Sequence, residues 1–194
     1  MKQKNTRDLL LKTAINLFAE KGYADTSIRE IGSKAGVSTS VLYHYFKNKE
    51  EMLFEVTITS SKELIQELTN IQEQYSDPLE CLKQMLITHM VSFSLKRKEE
   101  TQILAADNHL LKGKRGLICR KIQREILEIY SAQLKAIADK GLMNDIDSTV
   151  VVLSIFGMIN SFYSWYRERG RLSKEDVAQN ILEFISHGIL KGKS

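Results

Sequence analysis

Residues 26–49 constrain the fold more tightly than any other stretch, because their pattern predicts two short helices joined by a tight turn. Ile28, Ile31 and Ala35 are spaced three and four residues apart, which places them on one apolar side of a first helix. Gly36 can adopt the left-handed conformation that ends a helix, and Ser38 is a strong N-cap for a second helix. The stretch is therefore typical of a helix-turn-helix.

The second predicted helix has two chemically distinct sides. One side is apolar and aromatic and is expected to pack inward; it carries Val41, Leu42, Tyr45 and Phe46. The other side has hydroxyl, phenol, imidazole and amine groups without a carboxylate, and it carries Ser40, Tyr43, His44 and Lys47. Such a side suits a polyanion, and the second helix of a helix-turn-helix enters the major groove of DNA.

Charge is unevenly distributed along the chain. Residues 1–50 contain nine Lys and Arg against five Asp and Glu, whereas residues 51–194 contain nineteen of each. The net charge of +4 therefore lies in the segment that we expect to bind DNA. We predict a DNA-binding domain over residues 1–50 and a second, electrically neutral domain over residues 51–194.

A family resemblance covers about the first 55 residues. It rests on the helix-turn-helix positions above and on these further residues: Ala14, Leu17, Phe18, Gly22, Tyr23, Thr26, Lys49 and Glu50. The segment resembles the TetR family of transcriptional regulators. The resemblance implies an all-α fold, with a three-helix DNA-binding domain followed by a helical ligand-binding and dimerisation domain. It also implies a ligand-responsive repressor that binds double-stranded, pseudo-palindromic operator DNA as a homodimer.

Nine residues are candidates for contact with DNA. Thr39 and Ser40 are short enough to reach base edges, and His44 can donate to a base or a phosphate. Lys49 lies in the first turn of a predicted fourth helix, where free N–H groups attract anions, so we expect it to bind phosphate. The full set is Thr26, Ser27, Ser38, Thr39, Ser40, Tyr43, His44, Lys47 and Lys49.

The remainder of the chain is predicted to be helical, because a single proline in 194 residues permits long helices. The predicted helices cover about 48–75, 78–93, 99–111, 117–140, 148–167 and 173–190. The helix that begins at Ser148 is apolar on nearly all sides. We expect it to be buried partly in its own domain and partly against a second copy of the chain.

A second resemblance covers about residues 140–190. It rests on the segments 157–160 (Gly-Met-Ile-Asn), 165–167 (Trp-Tyr-Arg) and 170–173 (Gly-Arg-Leu-Ser). These segments are similar to the ligand domain of TetR-family regulators of fatty-acid and sterol-ring breakdown, which sense acyl-CoA thioesters. The resemblance implies an acyl-CoA or similar lipid-like effector. Guanidinium groups can hold its anionic head and an apolar lining can house its chain, so the candidate residues are Phe93, Met158, Phe162, Trp165, Arg167 and Arg169. Two alternatives remain: a core aromatic beside a solvated basic turn, and a multidrug-type repressor for hydrophobic aromatic compounds.

Other functional classes find little support in the sequence. There is no Gly-rich phosphate loop, no Gly-x-Ser-x-Gly and no His-Glu-x-x-His, so we expect no enzyme activity and no cofactor. A metal sensor would have to use His89, His109 and Cys119, whose spacing does not favour a site. With no apolar run of membrane-spanning length, we expect a cytoplasmic protein that does not contact membranes.

Overall fold

A computed structural model describes residues 2–95, 97–106 and 108–191, and the described chain is all-α, as predicted. The helices are α1 (Lys2–Lys21), α2 (Ile28–Lys34), α3 (Thr39–Tyr45), α4 (Lys49–Gln74), α5 (Pro78–Ile87), α6 (Lys98–Ala106), α7 (Gly113–Asp139), α8 (Ser148–Trp165) and α9 (Lys174–Ile189). The chain forms two compact units. Unit 1 comprises the described residues within Met1–Lys62 and Glu99–Ile122, and unit 2 those within Glu63–Lys98 and Gln123–Ser194.

Unit 1 is built around one apolar core that joins the helix-turn-helix to α1 and to the start of α4. The buried core residues are Leu10, Ala14, Leu17, Phe18, Ile31, Leu42, Phe46, Met52, Leu53, Val56, Ile103, Leu111 and Cys119. The last three come from the middle of the chain. The compact unit that contains the predicted DNA-binding segment is therefore larger than residues 1–50. The boundary of the DNA-binding domain at residue 50 stays a prediction.

Unit 2 buries the apolar sides of α5, α8, α9 and the second half of α7 in a separate core. Asp77 and Ser173 accept hydrogen bonds from Glu80 N and Asp176 N, which caps α5 and α9. The helix predicted over 78–93 is divided, because a π-helix, Thr88–Leu95, follows α5. The helix predicted over 99–111 is likewise divided into α6 and a 3-10 turn, Asn108–Leu110.

A buried polar pair lies inside the core of unit 2. Tyr130 OH donates to Met85 O at 3.2 Å, so His89 Nδ1, 3.2 Å from the same hydroxyl, is the donor to Tyr130. Phe156 packs its ring edge-on against both rings. Burial lowers the pKa of His89 from its ordinary value to about 4, and it raises the pKa of the Tyr130 phenol. Both groups are therefore neutral in the folded protein at pH 7.

α8 is the most apolar helix of unit 2, yet much of its surface is not covered by the chain itself. Only 28% of this helix is buried, and within the described residues it is the one helix long and apolar enough to cross a membrane by length and composition alone. Val150 and Leu153 are 58% and 56% exposed, and Phe184 of α9 is 72% exposed. An exposed apolar surface of this kind is typical of an interaction site.

The buried His89 should make stability fall as the pH is lowered. In the unfolded chain His89 takes up a proton near pH 6.5, whereas in the folded protein it stays neutral down to about pH 4. Protonation therefore favours the unfolded chain below pH 6.5, so the folded protein keeps its full stability above pH 6.5 and loses part of it as the pH falls towards 4. Its contribution to the unfolding free energy should drop by roughly 2 kcal/mol between pH 7 and pH 5.

Urea unfolding at the two pH values measures this effect as a difference between variants. His89→Phe should show a smaller loss than the wild type, and His187→Gln, at an exposed histidine, should behave like the wild type. An unchanged pH dependence in His89→Phe would contradict the assignment.

Candidate nucleic-acid interface

Three local devices fold the helix-turn-helix. Ser27 Oγ accepts from Glu30 N at 3.1 Å and begins α2, and Ser38 Oγ accepts from Val41 N at 3.3 Å and begins α3. Gly36 has φ +68°, the left-handed conformation that its position requires. Sequence reasoning missed Gly32: a Cβ there would lie 3.0 Å from Leu42 Cδ1, so a glycine lets α2 and α3 approach closely.

The apolar side of α3 packs into unit 1 and thereby determines which side faces outward. Leu42 and Phe46 are buried as predicted, and the Arg7 guanidinium lies over the Phe46 ring at 5.1 Å while it forms an ion pair with Glu55. The prediction for Val41 was wrong, since this side chain is 39% exposed. α3 also ends at Tyr45, because Phe46 has an extended backbone, so Lys47 follows the helix rather than lying on it.

The polar residues predicted to meet DNA lie together on the exposed side of this helix and just beyond it. Thr39, Ser40, Tyr43, His44 and Lys47 are all exposed. No described hydrogen bond or ion pair engages the Lys47 ammonium. The cluster contains hydrogen-bond donors and no carboxylate, so it can meet base edges and phosphates.

Thr26 lies differently from the surface candidates. It is buried, and its hydroxyl is 2.8 Å from Gly22 O and 3.3 Å from Leu17 O, so the side chain closes the turn after α1. Ser27 and Ser38 remain exposed although each hydroxyl oxygen caps a helix, so both stay candidates for contact with DNA.

A notch of about 430 Å³ adjoins the polar cluster. It is lined by Ala24, Asp25, Thr26, Ser27, Ile28, Tyr43, Lys47, Asn48 and Lys49. The ammonium of Lys49, one of the lining residues, donates to the carbonyl oxygens of Tyr23, Ala24 and Thr26 at 2.6, 3.0 and 2.9 Å. Lys49 was expected to bind phosphate, and the structure gives its ammonium these partners within the chain.

Charge is concentrated on the unit that carries this notch. The ranges of unit 1 contain fifteen Lys and Arg against ten Asp and Glu, whereas those of unit 2 contain thirteen against fourteen. A net charge of +5 around an exposed, carboxylate-free helix side attracts a polyanion before any specific contact forms.

The effector candidates lie in two different environments of unit 2. Phe93 and Phe162 are buried in the core and Met158 is half-buried, whereas Trp165 is half-exposed with its ring 5.2 Å from that of Phe162. Two open cavities of unit 2, of about 620 and 280 Å³, are lined by other residues. These observations place Phe162 beside Trp165 and assign none of the effector candidates to either cavity.

The arginine candidates belong to the exposed turn after α8. Arg167 Nη1 donates to Ser164 O and Tyr166 O at 3.1 Å, and Gly170 N donates to Arg167 O at 2.9 Å. Arg169 is also exposed. The turn thus displays guanidinium groups beside Trp165, an arrangement that can hold an anion.

Metal binding gains no support in the described part of the chain, where no group of three His, Cys, Asp or Glu side chains could hold an ion. His89 lies in the core of unit 2 and Cys119 in that of unit 1. Burial raises the pKa of both Cys81 and Cys119, which disfavours the thiolate that a metal requires.

Fold and interface together define a helix-turn-helix transcriptional regulator with a helical second domain. Residues 10–56 match the family described as "Bacterial regulatory proteins, tetR family", and residues 75–189 match "Tetracyclin repressor-like, C-terminal domain". The second match covers more than half of the chain, and the chain belongs to the TetR family of transcriptional regulators. Members of this family bind operator DNA and respond to small molecules.

Individual relatives are similar over nearly their whole length. The chain is 28% identical to the transcriptional repressor KstR2 of Mycolicibacterium smegmatis, covering 96% of this chain and 92% of the relative. It is 26% identical to the fatty acid metabolism regulator protein of Bacillus subtilis, with 97% and 98% covered. The solved structure of the ketosteroid regulator KstR2 of Mycobacterium tuberculosis superposes with a TM-score of 0.88 at 26% identity, covering 96% and 95%.

Substitutions on the polar cluster should separate base reading from phosphate binding. Thr39→Ala and Ser40→Ala should change the preference among operator variants, because short side chains at the start of α3 can reach base edges. Lys47→Ala should weaken binding to all sequences alike and flatten the dependence of log affinity on log salt by about one unit. Fluorescence anisotropy with a panel of duplexes at several salt concentrations measures both effects, and equal effects of all three variants on every duplex would contradict this division.

Proposed function

We propose that the protein represses transcription as a homodimer on a pseudo-palindromic operator and leaves the DNA when it binds a long-chain acyl-CoA. The observation that carries the DNA-binding part is the exposed, carboxylate-free side of α3 on a unit of net charge +5. An operator is cytoplasmic in a bacterium, so we place the protein in that compartment.

The exposed side of α8 supports dimerisation. Positions 150, 153, 157, 160 and 164 are exposed and alternate by three and four residues, which is the spacing of a helix–helix seam. Gly157 leaves room for close approach, because a Cβ there would meet no atom within 4 Å. Phe184 on α9 adds a large exposed apolar side chain. A second copy presenting the same seam would cover these surfaces.

A protein partner suits this seam better than lipid. The exposed stripe of α8 includes Asn160, whose side-chain oxygen and nitrogen have no described hydrogen-bond partner, and these polar groups would be costly to bury in a bilayer. In a four-helix contact formed by α8 and α9 of two copies, these groups can bond across the interface or remain at its wet rim.

The effector proposal rests on the chemistry of unit 2 and on the relatives. An acyl chain is compatible with the apolar surroundings of Phe93, Met158 and Phe162, and phosphates with Arg167 and Arg169. One relative is named as a fatty acid metabolism regulator and another as a ketosteroid regulator. The alternative effector is a hydrophobic aromatic compound, which would need no basic site.

The proposed mechanism uses α4 as the link between the units. This helix runs from Lys49 to Gln74 without a break, and the division between the units falls within it, after Lys62. A ligand that tilts α4 would move the two recognition helices of the dimer away from the separation of about 34–36 Å that adjacent major grooves require. The ligand must bind the DNA-free conformation more tightly, or it would not shift the equilibrium.

Charged substitutions in the seam should dissociate the dimer. Leu153→Lys and Phe184→Asp should each give a folded monomer with at least about tenfold weaker operator binding, because each of the two copies would bring an unpaired charge of the same sign into the interface. Leu117→Lys, a charge at an exposed leucine of unit 1, is the matched control and should remain dimeric. Sedimentation equilibrium at micromolar concentration gives the mass, and a wild-type mass of one chain would refute the homodimer.

Acyl-CoA thioesters should release the protein from the operator in a way that depends on chain length. Each buried CH₂ contributes about 0.8 kcal/mol, so the releasing concentration should fall as the chain grows, until the pocket is full. Free CoA should release little. Arg167→Gln with Arg169→Gln should raise the releasing concentration of every acyl-CoA while the response to chain length persists.

Titration of operator-bound protein with acyl-CoAs of increasing length, followed by anisotropy, tests the effector. Release by uncharged aromatic compounds together with no response to any acyl-CoA would favour the alternative.

A further inference from the structure

We propose that Lys49 is a positioning residue that fixes the recognition helix through the turn before α2, and that it does not bind a DNA phosphate. The inference rests on the proposed DNA-binding function. The geometry that suggests it lies wholly within unit 1.

The Lys49 ammonium has a complete set of partners inside the chain. An ammonium has three donor hydrogens, and three carbonyl oxygens, those of Tyr23, Ala24 and Thr26, lie within 3.0 Å of Nζ. The same nitrogen lies 4.3 Å from the centre of the Tyr23 ring, which adds a cation–π contact. A phosphate could reach this ammonium only by displacing one of these partners.

The three carbonyl groups in turn depend on the ammonium. They belong to three of the four residues 23–26, a tight turn that follows Gly22, whose φ is +88°. Of the three oxygens, only that of Tyr23 has a further described hydrogen bond, a long one of 3.3 Å from Thr26 N. Without a cation, partial negative charges would converge in a partly buried site, so the turn would relax.

The contact joins Lys49 to residues 23–26, and the segment between these two points contains the whole helix-turn-helix. The turn 23–26 leads directly into the N-cap of α2, and Lys49 is the first residue of α4, directly after α3 and its connecting loop. The start of α4 is itself fixed, because Asn48 Oδ1 accepts from Glu51 N at 2.9 Å and the Glu51 carboxylate accepts from Lys47 N at 2.7 Å. The ammonium therefore links the two ends of residues 23–49, the segment that contains the helix-turn-helix and that we call the reading module.

This arrangement assigns different functions to two neighbouring lysines. Lys47 is exposed at the rim of the notch and its ammonium has no described partner, so it is available to phosphate. Lys49 sets the orientation of α3 against α4. Loss of Lys47 would remove a phosphate contact that any DNA sequence can make, so it would lower the affinity for all sequences. Loss of Lys49 would disturb the fit of α3 to the base edges, so it would lower the affinity for the operator alone.

The test compares Lys49→Met, Lys49→Arg and Lys47→Met in the full-length protein. For each variant, the affinity is measured for a duplex from the promoter of the protein's own gene and for a scrambled duplex of equal length and composition, at several salt concentrations. For Lys49→Met we expect about tenfold weaker promoter binding, little change with the scrambled duplex and an unchanged salt slope. Lys49→Arg should behave in the same way although it retains the charge, because a planar guanidinium cannot direct three donors at one converging set of carbonyls. Lys47→Met should weaken both complexes and flatten the slope by about one unit.

The outcomes separate the alternatives. A flatter slope in Lys49→Met, with wild-type binding by Lys49→Arg, would show a phosphate contact and overturn the inference. Stoichiometric titration gives the active fraction of each variant, and a reduced fraction with unchanged affinity would show a merely structural role and overturn it too. If the wild type itself does not distinguish the promoter from the scrambled duplex, the proposed function fails, whatever the variants do.

Discussion

The burial of Leu42 and Phe46 in the core of unit 1 is the constraint on which the DNA-binding surface depends. Full burial of two such side chains contributes about 1.5–3 kcal/mol each, and any rotation of α3 about its axis would lose it. Because these residues fix the rotation of the helix, Ser40, Tyr43 and His44 must lie on the opposite, exposed side. The polar side of α3 is therefore specified by what its apolar side buries, and Gly32 allows that packing by giving Leu42 the space of a missing side chain.

Fixing the rotation of α3 does not by itself fix its tilt, and the contacts at the ends of the module supply the second constraint. The Lys49 ammonium joins the turn before α2 to the first residue of α4. α4 begins at Lys49 and is 26 residues long, so under the proposed mechanism a change in its direction would be transmitted to the helix-turn-helix. Under the proposed mechanism, residues 23–49 would move together with the start of α4, and no flexible hinge near the DNA would be needed.

The sequence predicted those features that depend on neighbouring residues. The cap at Ser38 and the turn at Gly36 depend on groups within three residues along the chain, and the structure confirms both. The same local reasoning failed for Val41 and for the π-helix that follows α5, because both depend on packing against distant elements. It also could not find the partners of Lys49, which lie more than twenty residues earlier, or the inclusion of Ile103, Leu111 and Cys119 in the core of unit 1.

The central claim is that two copies of this chain read adjacent major grooves of one operator. Hydroxyl-radical footprinting of the purified protein on the promoter of its own gene tests it most directly. The account predicts two protected half-sites related by a dyad, with centres one helical turn apart, about 10 base pairs. A single unpaired protected segment, or no protection at protein concentrations that saturate mobility-shift binding, would contradict it.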